Sequence, residues 1–369
     1  MKTLQSIIIV IVFLTFIKTV PAAATDESKG IVQSDSLKHF ENSFIYLPVI
    51  FYTPETKTAF GASMSHFFYP DQKMKNRPSS LTPTFIYTTR KQILAEFNTD
   101  LYISDKHIIG EFQFLKFPDT FMGIGNNTSD NDKENFTSQS MNLFMSYQKE
   151  ISPGLYIGPR YFFRDTKILK TADDGVLKNK TISGSKNGTT SGLGLAIHYD
   201  TRDNVFYPAN GVYHQMSGWV FTDFMGSDYN FRKFNLDMRM YRSFYKNHVL
   251  AIRTYFETSF GDVPFQSMAM VGGANLLRGY FQGRYRDKNM FAVQTEYRMP
   301  LFWNFGFAGF AGLGDVSQEL QKFEFSNFKP CYGFGIRYQI DPKSKLNLRL
   351  DFGFGKNSSG TYISINEAF

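Results

Sequence analysis

The chain contains a single cysteine, Cys331, among its 369 residues. One cysteine excludes an intramolecular disulfide framework and any cysteine-based metal site. Beyond residue 24, no segment approaches the roughly 18 consecutive apolar residues that a membrane-spanning helix needs. The 6 histidines are scattered and include no H-E-x-x-H motif. The sequence therefore predicts neither a disulfide scaffold, nor a helical membrane protein, nor a zinc hydrolase of that type.

Aromatic residues, in contrast, are abundant, with 40 phenylalanines, 21 tyrosines and an aromatic share of 17%. That share excludes a disordered, low-complexity or coiled-coil chain, although the mean hydropathy of -0.28 is that of a soluble protein. The net charge of +7 is spread along the sequence rather than concentrated in a basic stripe. We therefore expect no nucleic-acid partner.

Residues 1–24 have the features of an export signal. Lys2 precedes an apolar run at residues 7–17, and alanines at 22–24 form an A-x-A cleavage site. The run is too short to cross a bilayer as a helix. We expect residues 1–24 to be a signal peptide, although Lys18 leaves the cleavage position open.

The remaining apolar residues recur with a period of two. Phe234, Leu236, Met238 and Met240 alternate with charged or polar residues in the segment 233–240, and the same alternation recurs at 290–299, 331–340 and 346–355. Such segments predict strands with one apolar and one polar face.

Alternation alone fits a soluble sheet as well, in which the apolar face forms the core. Three features favour an outer-membrane barrel instead: strands of about ten residues recur almost without helices, an export signal is present, and aromatics crowd the strand ends. We predict an all-β fold, a transmembrane antiparallel barrel of about sixteen strands. The predicted strands are 44–53, 58–69, 80–89, 92–102, 107–117, 137–150, 155–168, 189–201, 212–224, 230–244, 248–260, 290–299, 305–314, 331–340, 346–355 and 361–369.

The predicted connections alternate between long and short. Long polar segments lie at 118–136, 169–188, 261–289 and 315–329, whereas the connections at 151–154, 246–247 and 341–345 are tight turns. Barrels of this kind place long loops outside the cell and short turns in the periplasm. We therefore expect both termini in the periplasm, a short periplasmic segment at 25–43 and a barrel domain at 44–369.

Three segments resemble a known family. The sequences at 52–62 and 199–211, and Leu277-Arg278-Gly279-Tyr280 followed by residues 283–287, resemble the BamA/TamA outer-membrane assembly superfamily, also called the bacterial surface antigen family. The resemblance implies a barrel whose sixth extracellular loop folds inward, and a role in inserting, translocating or transporting protein or lipid. Family members that assemble other proteins carry periplasmic POTRA domains; residues 25–43 are too few to fold as one, so we expect a barrel-only member.

The resemblance also implies a lumen partner for Arg278. The expected partner is Glu296. The alternation of side chains along the twelfth predicted strand places Glu296 on its polar face. The family tends to carry a further aspartate where this sequence has Gly312. Three alternatives follow: Arg278 relies on Glu296 alone, another carboxylate such as Asp351 replaces the aspartate, or the loop is held differently. A surface-loop role for Arg278 is the simplest alternative to lumen anchoring.

The C-terminal segment resembles an outer-membrane targeting strand. Ile363 and Ile365 alternate with polar residues and Phe369 is the last residue, while Glu367 occupies a position where an apolar residue is usual. We expect Glu367 to lie on the lipid face near the interface, where a charge costs less. In the first predicted strand, Pro48 indicates a weak barrel seam or a bulge that eases closure.

No catalytic, cofactor or metal site is predicted. His198 and Asp200 share a strand face, but no serine nucleophile is tied to them. The expected partners are outer-membrane lipid and either a separate periplasmic protein or another copy of the chain. The alternative to an assembly function is a passive or structural barrel plugged by its own loop.

Overall fold

The structure is a computed structural model that describes residues 42–53, 57–70, 77–129, 132–179, 181–342 and 344–369. The predicted signal peptide and nearly all of the predicted segment 25–43 lie outside these residues. The strands are β1 (Ser43–Thr53), β2 (Lys57–Phe68), β3 (Ser79–Thr88), β4 (Ile93–Ile103), β5 (Lys106–Phe121), β6 (Glu134–Ser152), β7 (Leu155–Lys170), β8 (Gly188–Asp200), β9 (Gly211–Phe221), β10 (Phe231–Phe244), β11 (His248–Gly261), β12 (Ala269–Val271), β13 (Tyr285–Asp287), β14 (Asn289–Pro300), β15 (Phe305–Ser317), β16 (Lys329–Asp341), β17 (Leu346–Gly355) and β18 (Ser358–Ile365).

All strands except β12 and β13 form one sixteen-stranded sheet. In it, neighbours follow the order of the chain, and β11 pairs with β14. The pairing is antiparallel from β1–β2 to β17–β18, so the predicted all-β fold of sixteen strands is confirmed. Strands β12 and β13 pair separately within the long connection 262–288, a small hairpin that the sequence pattern did not indicate.

The two faces of the sheet are the reverse of those in a soluble protein. On β10, the side chain of Asp237 is only 5% exposed, whereas Met238 and Met240 are 40% and 49% exposed. On β16, Tyr332 and Phe334 are likewise exposed while Arg337 is buried. Exposed apolar residues on every second position are typical of a surface that faces lipid, with the polar face turned inward.

The sheet curls so that its two ends come together. Ile45 of β1 and Phe67 of β2 belong to one apolar cluster with Leu346 of β17 and with Ile365 of β18. A cavity of about 690 Å³ lies between β1–β4 and residues 363–366. Within the described residues, β1 and β18 are not hydrogen-bonded to each other, and they remain the two edges of the sheet. Pro48 lies in the edge strand β1, where a missing N–H donor is tolerated.

Several predicted strand boundaries were wrong. Strand β5 continues to Phe121, and strand β6 already starts at Glu134. Part of the predicted loop 118–136 is therefore strand. The last strand was predicted at 361–369 but ends at Ile365. It ends there because the residues after Ile365 turn to the polar face of the sheet and make their contacts on that face. The described helices are single 3-10 turns, and none of them has the length and apolar character needed to cross a membrane.

Candidate functional site

The connection 262–288 packs onto the polar face of β15–β17, where glycines leave a groove. Gly314 faces Leu277, and a Cβ atom built on Gly353 would lie 2.7 Å from the carbonyl carbon of Arg278 and the nitrogen of Gly279. A Cβ on Gly355 would lie 2.5 Å from the Tyr280 ring. These glycines alternate along the strands, which places their missing side chains on one face. The groove therefore has the room to accept Leu277–Tyr280.

The bound segment needs backbone conformations that glycine adopts readily. Gly279 has φ 116°, and the double glycine Gly272-Gly273 has φ 106° and 102°. Gly272 also lies close to the backbone carbonyl of Phe281, so any side chain there meets main-chain atoms. These positive φ angles are ones that glycine adopts at little cost and that other residues rarely adopt.

Arg278 is 1% exposed, and its side chain lies against the polar face of the sheet. Its Nη2 atom lies 2.5 Å from Glu296 Oε2 of β14, and its Nη1 atom is hydrogen-bonded to Asp351 Oδ2 of β17. The guanidinium carbon lies 3.5 Å from the centroid of the Phe310 ring of β15. The structure thus places Arg278 with the expected Glu296 and also with Asp351, one of the alternatives left open by the sequence.

The packing around Gly312 is consistent with a glycine at the position where the family tends to carry an aspartate. A Cβ atom on Gly312 would lie 3.0 Å from Leu277 Cδ2 and 3.0 Å from Gln294 Cβ. A side chain at this position would therefore crowd Leu277 and Gln294, which would have to shift to admit it. Asp351 supplies the second acceptor from a strand two places away in the sheet.

The Arg278 contacts belong to a larger buried network that we call the arginine cluster. Glu296 also binds Arg298 at 2.7 Å and Arg337 at 3.4 Å. Asp351 also binds Arg337 and, at 3.2 Å, Arg349. Glu367 lies 3.1 Å from Arg337 and 3.7 Å from Arg298. Because nearly every charge in this cluster is buried, each depends on its partners to offset the loss of hydration.

The other motif residues are also bound. The Gly279 N–H donates to the Tyr362 hydroxyl at 2.9 Å. The Tyr280 hydroxyl donates to the Pro330 carbonyl at 2.8 Å and accepts from the Lys356 N–H at 2.9 Å. Burial raises the pKa of Tyr280 above its ordinary value. Leu277 is fully buried in the apolar cluster with Met290 and Val316.

The C-terminal residues turn inward after β18. Ile363 is 40% exposed, whereas Phe369 is 5% exposed and packs with Tyr241 and Ala251. Arg298 Nη2 donates to the Phe369 carbonyl at 2.8 Å. The expectation that Glu367 lies on the lipid face was wrong, because its carboxylate binds the arginine cluster.

The segment that follows β8 crosses from one side of the sheet to the other. Its Phe206 ring packs edge-on against Phe67 of β2 with centroids 5.0 Å apart, and Asn204 Nδ2 donates to the Ser344 carbonyl at 3.0 Å. Asp203 Oδ1 accepts from the N–H groups of Ala209 and Asn210, which fixes the turn internally. The segment 201–210 therefore braces several strand ends across the lumen.

His198 and Asp200 do not form a catalytic dyad. The His198 Nδ1 atom is hydrogen-bonded to Gln148, while Asp200 binds Arg77 at 2.6 Å and Arg202 at 2.9 Å. The carboxylate therefore orients two guanidinium groups and not the imidazole. Within the described ranges, no group of three or more metal-ligating side chains is present.

Sequence reasoning missed most of the arginine cluster. Parity along β16 and β17 does put Arg337 and Arg349 on the polar face, so a signal existed. The alternation of residues did not indicate which strands receive the 262–288 connection, and the family resemblance pointed only to Glu296 and, as one alternative, to Asp351. Arg298 and Glu367 were missed for the same reason.

Comparisons with known proteins agree with the all-β fold of sixteen strands. A model described as the Omp85 superfamily domain matches residues 79–369. The fold is similar to that of BamA from Haemophilus ducreyi lacking POTRA domains 1-3, with a TM-score of 0.55, 12% identity, and 90% of this chain and 72% of that chain covered. It is also similar to CdiB from Acinetobacter baumannii, with a TM-score of 0.53, 13% identity, and 98% and 65% covered.

CdiB from Escherichia coli gives a TM-score of 0.54 at 10% identity, with 88% of this chain and 62% of that chain covered. The chain thus spans slightly less than two thirds of the length of either CdiB. No curated protein sequence matches the chain. At these identities, the structural matches show a shared fold.

Proposed function

Because the chain belongs to the Omp85 superfamily, we propose that it is an outer-membrane barrel that acts in the insertion, translocation or transport of protein or lipid. The observation that carries this proposal is the docking of Leu277–Tyr280 in the glycine groove, since the family-like motif is buried against the polar face of the sheet. Residues 1–24 act in this proposal as the export signal, and residues 44–369 form the barrel domain.

In this proposal, β1 and β18 close the barrel and the connection 262–288 is the sixth extracellular loop, folded inward. The exposed apolar face supports membrane insertion, because burying such a face in lipid removes it from water. The arginine cluster supports an inward loop, because it forms on the polar face, away from lipid.

The proposed orientation has both termini in the periplasm. When the sixteen strands of the sheet are counted in order, each long connection follows an odd-numbered strand, so all of them lie at the same end of the sheet. These connections are 122–133, 171–187, 262–288 and 318–328. The tight turns 104–105, 153–154 and 245–247 lie at the other end. Long loops outside and short turns in the periplasm are the pattern of bacterial barrels.

The proposed partners are outer-membrane lipid and either a separate periplasmic protein or another copy of the chain. A second candidate function is a passive barrel plugged by its own loop. The observation that favours it is the density of the arginine cluster, where Glu296 and Asp351 each bind three guanidinium groups. Such a cluster holds the loop firmly in place.

Deletion of the gene distinguishes the two functions. Outer-membrane fractions of the deletion strain and of the strain complemented with wild-type protein are compared by quantitative mass spectrometry of proteins and lipids. An assembly or transport function predicts the loss of a discrete set of proteins or lipids from the deletion strain. A matched complementation with an Asp105→Ala variant, which alters only an exposed ion pair at 3.7 Å to Lys149, should restore the wild-type composition.

An outer membrane of unchanged protein and lipid composition, together with altered uptake of small solutes, would reject the assembly function and support the passive barrel. Co-purification of a periplasmic protein with the wild-type barrel would identify the partner. Purified barrel in planar bilayers, with and without periplasmic extract, then shows whether that partner changes the conductance.

A further inference from the structure

A second lumen feature lies apart from the arginine cluster. A cavity of about 590 Å³ separates the wall strands β7 and β9–β11 from residues 266–276 of the long connection. Small-molecule sites usually enclose about 300–1,000 Å³. The cavity therefore has the volume of a site for one small organic molecule.

Two arginines of this cavity lack an acidic partner. Arg160 Nη2 donates to Gln215 Oε1 at 2.7 Å, and its Nε atom donates to Ser146 Oγ at 3.3 Å. Arg164 Nε donates to Asn142 Oδ1 at 2.9 Å, and Nη1 donates to a backbone carbonyl of the connection, that of Gln266, also at 2.9 Å. All four acceptors are neutral, so none of these hydrogen bonds brings a negative charge to offset the positive charge of either guanidinium group.

The absence of a carboxylate on these arginines differs from the pattern in the arginine cluster. Arg278, Arg298, Arg337 and Arg349 each bind at least one carboxylate. Arg160 is only 6% exposed, yet within the described residues it has no acidic group within ion-pair distance. A buried cation without a counter-ion is costly, and an incoming anion removes that cost.

The remaining charges of the cavity do not supply the missing anion. Lys233 binds Glu257 at 2.7 Å. Arg253 binds Asp237 at 2.8 Å, but Asp237 also binds Arg239 at 2.5 Å. Among the residues that line the cavity, four cationic side chains face a single carboxylate, that of Glu257. The cavity is therefore electropositive.

Aromatic rings form the floor of the cavity. The Trp219 ring lies over Gly194, where a built Cβ atom would be 2.6 Å from the indole, and Phe221 lies over Gly192. The two rings are stacked, with centroids 6.0 Å apart and an interplanar angle of 19°. Phe221 is buried and stacks on Phe231 with centroids 4.1 Å apart, whereas Trp219 is only partly buried and lines the cavity. Trp219 is therefore the ring of the pair that is available to a ring-shaped ligand.

We infer that this cavity is a binding site for a small organic phosphate, in particular a phosphorylated sugar. Arg160 and Arg164 bind the phosphate, since the guanidinium fork matches phosphate oxygens and its interaction with an anion is charge-assisted. Trp219 packs against the apolar face of the sugar ring. This site does not depend on the proposed assembly function, because it requires only the cavity and its charges.

The sequence provides a reporter for the test. Trp219 and Trp303 are the two tryptophans of the chain, and Trp303 is 92% exposed in the turn before β15. In detergent-solubilised full-length protein with Trp303→Phe, fluorescence emission reports on the cavity alone. The probe is glucose 1-phosphate, and the parallel titrations use glucose and inorganic phosphate at the same ionic strength.

The test variants are Arg160→Gln, Arg164→Gln and the double variant. The matched control is Arg232→Gln, which removes an exposed arginine one position before Lys233 on the outer side of β10. Arg164→Lys keeps the charge but loses the fork. Retention of heat-modifiable mobility on gels shows that each variant is folded, and the single variants serve if the double variant does not fold.

We expect a saturable change of Trp219 emission with glucose 1-phosphate and a weaker response to inorganic phosphate or glucose. Each arginine removed should weaken binding by about tenfold or more, Arg164→Lys by less, and Arg232→Gln should not alter it. The inference is overturned by a non-saturable response, by equal responses to glucose and glucose 1-phosphate, or by equal affinity in wild type and Arg160→Gln/Arg164→Gln.

Discussion

Arg278 and Asp351 are separated by 73 positions in the sequence, yet their side chains form a hydrogen-bonded ion pair on the buried polar face of the sheet. The pair joins the long connection 262–288 to β17, one strand away from the edge strand β18. The loop is thereby tied to the part of the sheet nearest its seam. A change in the arginine cluster is therefore expected to affect both the loop and the seam.

The first prediction concerns the anchor of the loop. Glu296→Ala leaves Arg278, Arg298 and Arg337 with one acceptor fewer, and removal of one partner from a buried pair costs about 3–5 kcal/mol, less where lumen water reaches the charges. We expect faster proteolysis within 262–288 and a higher conductance in planar bilayers. Asp105→Ala is the control, since an exposed pair contributes about 0–1 kcal/mol. Unchanged proteolysis and conductance in both Glu296→Ala and Arg278→Ala would reject loop anchoring.

The second prediction concerns the glycine groove. Gly353→Ala places a methyl group against the backbone of Arg278 and Gly279, and overpacking of this kind costs about 1–3 kcal/mol. The loop should become accessible to protease although every charge of the cluster is retained. Gly218→Ala is the matched control, because a Cβ atom there has no atom within 4 Å. Equal protease resistance of the two variants would show that the groove does not hold the loop.

The third prediction concerns the C-terminus. Deletion of Phe369 removes the ring that packs with Tyr241 and Ala251 and the carbonyl that accepts from Arg298, so we expect the chain to remain in the periplasm, degraded or aggregated. Glu367→Gln should give a milder loss, since the side chain still accepts hydrogen bonds from the arginines. Cell fractionation and heat-modifiable mobility measure both. A normal amount of folded barrel in the outer membrane after deletion would argue against a targeting role for Phe369.

The fourth prediction concerns the seam between β1 and β18. Leu47 and Ile365 pack on the same apolar cluster, so Leu47→Cys with Ile365→Cys, in a Cys331→Ala background, should form a disulfide across the seam. If the function requires the seam to open towards lipid, the oxidised protein should fail to complement the deletion strain, and reduction should restore it.

The control for the seam disulfide is Leu350→Cys with Ile363→Cys, whose positions already pair between β17 and β18. Its oxidation should leave complementation intact. Full complementation by the locked Leu47–Ile365 variant would exclude lateral opening and favour the plugged barrel.

Much of the fold followed from the sequence because strand structure is a local property. Alternation of apolar and polar residues fixes which side chains share a face, and aromatic and glycine-rich ends mark the turns. The count of sixteen strands and the polar face of Glu296 were predicted on these grounds. The ends of β5, β6 and β18 were not, because hydrogen bonding to neighbouring strands and the binding of Glu367 decide where a strand stops.

The sequence by itself determined that alternate side chains of each strand would lie on an apolar and a polar face, since a period of two needs no tertiary information. Only the tertiary structure decided which lumen residues meet. Arg278 reaches Asp351 because the sheet curls and brings β17 beside the loop that follows β11. Arg160 and Arg164 remain without a carboxylate because the groups that reach them are a hydroxyl, two side-chain amides and a backbone carbonyl. Such long-range proximity arises from the curvature of the whole sheet, which no local pattern records.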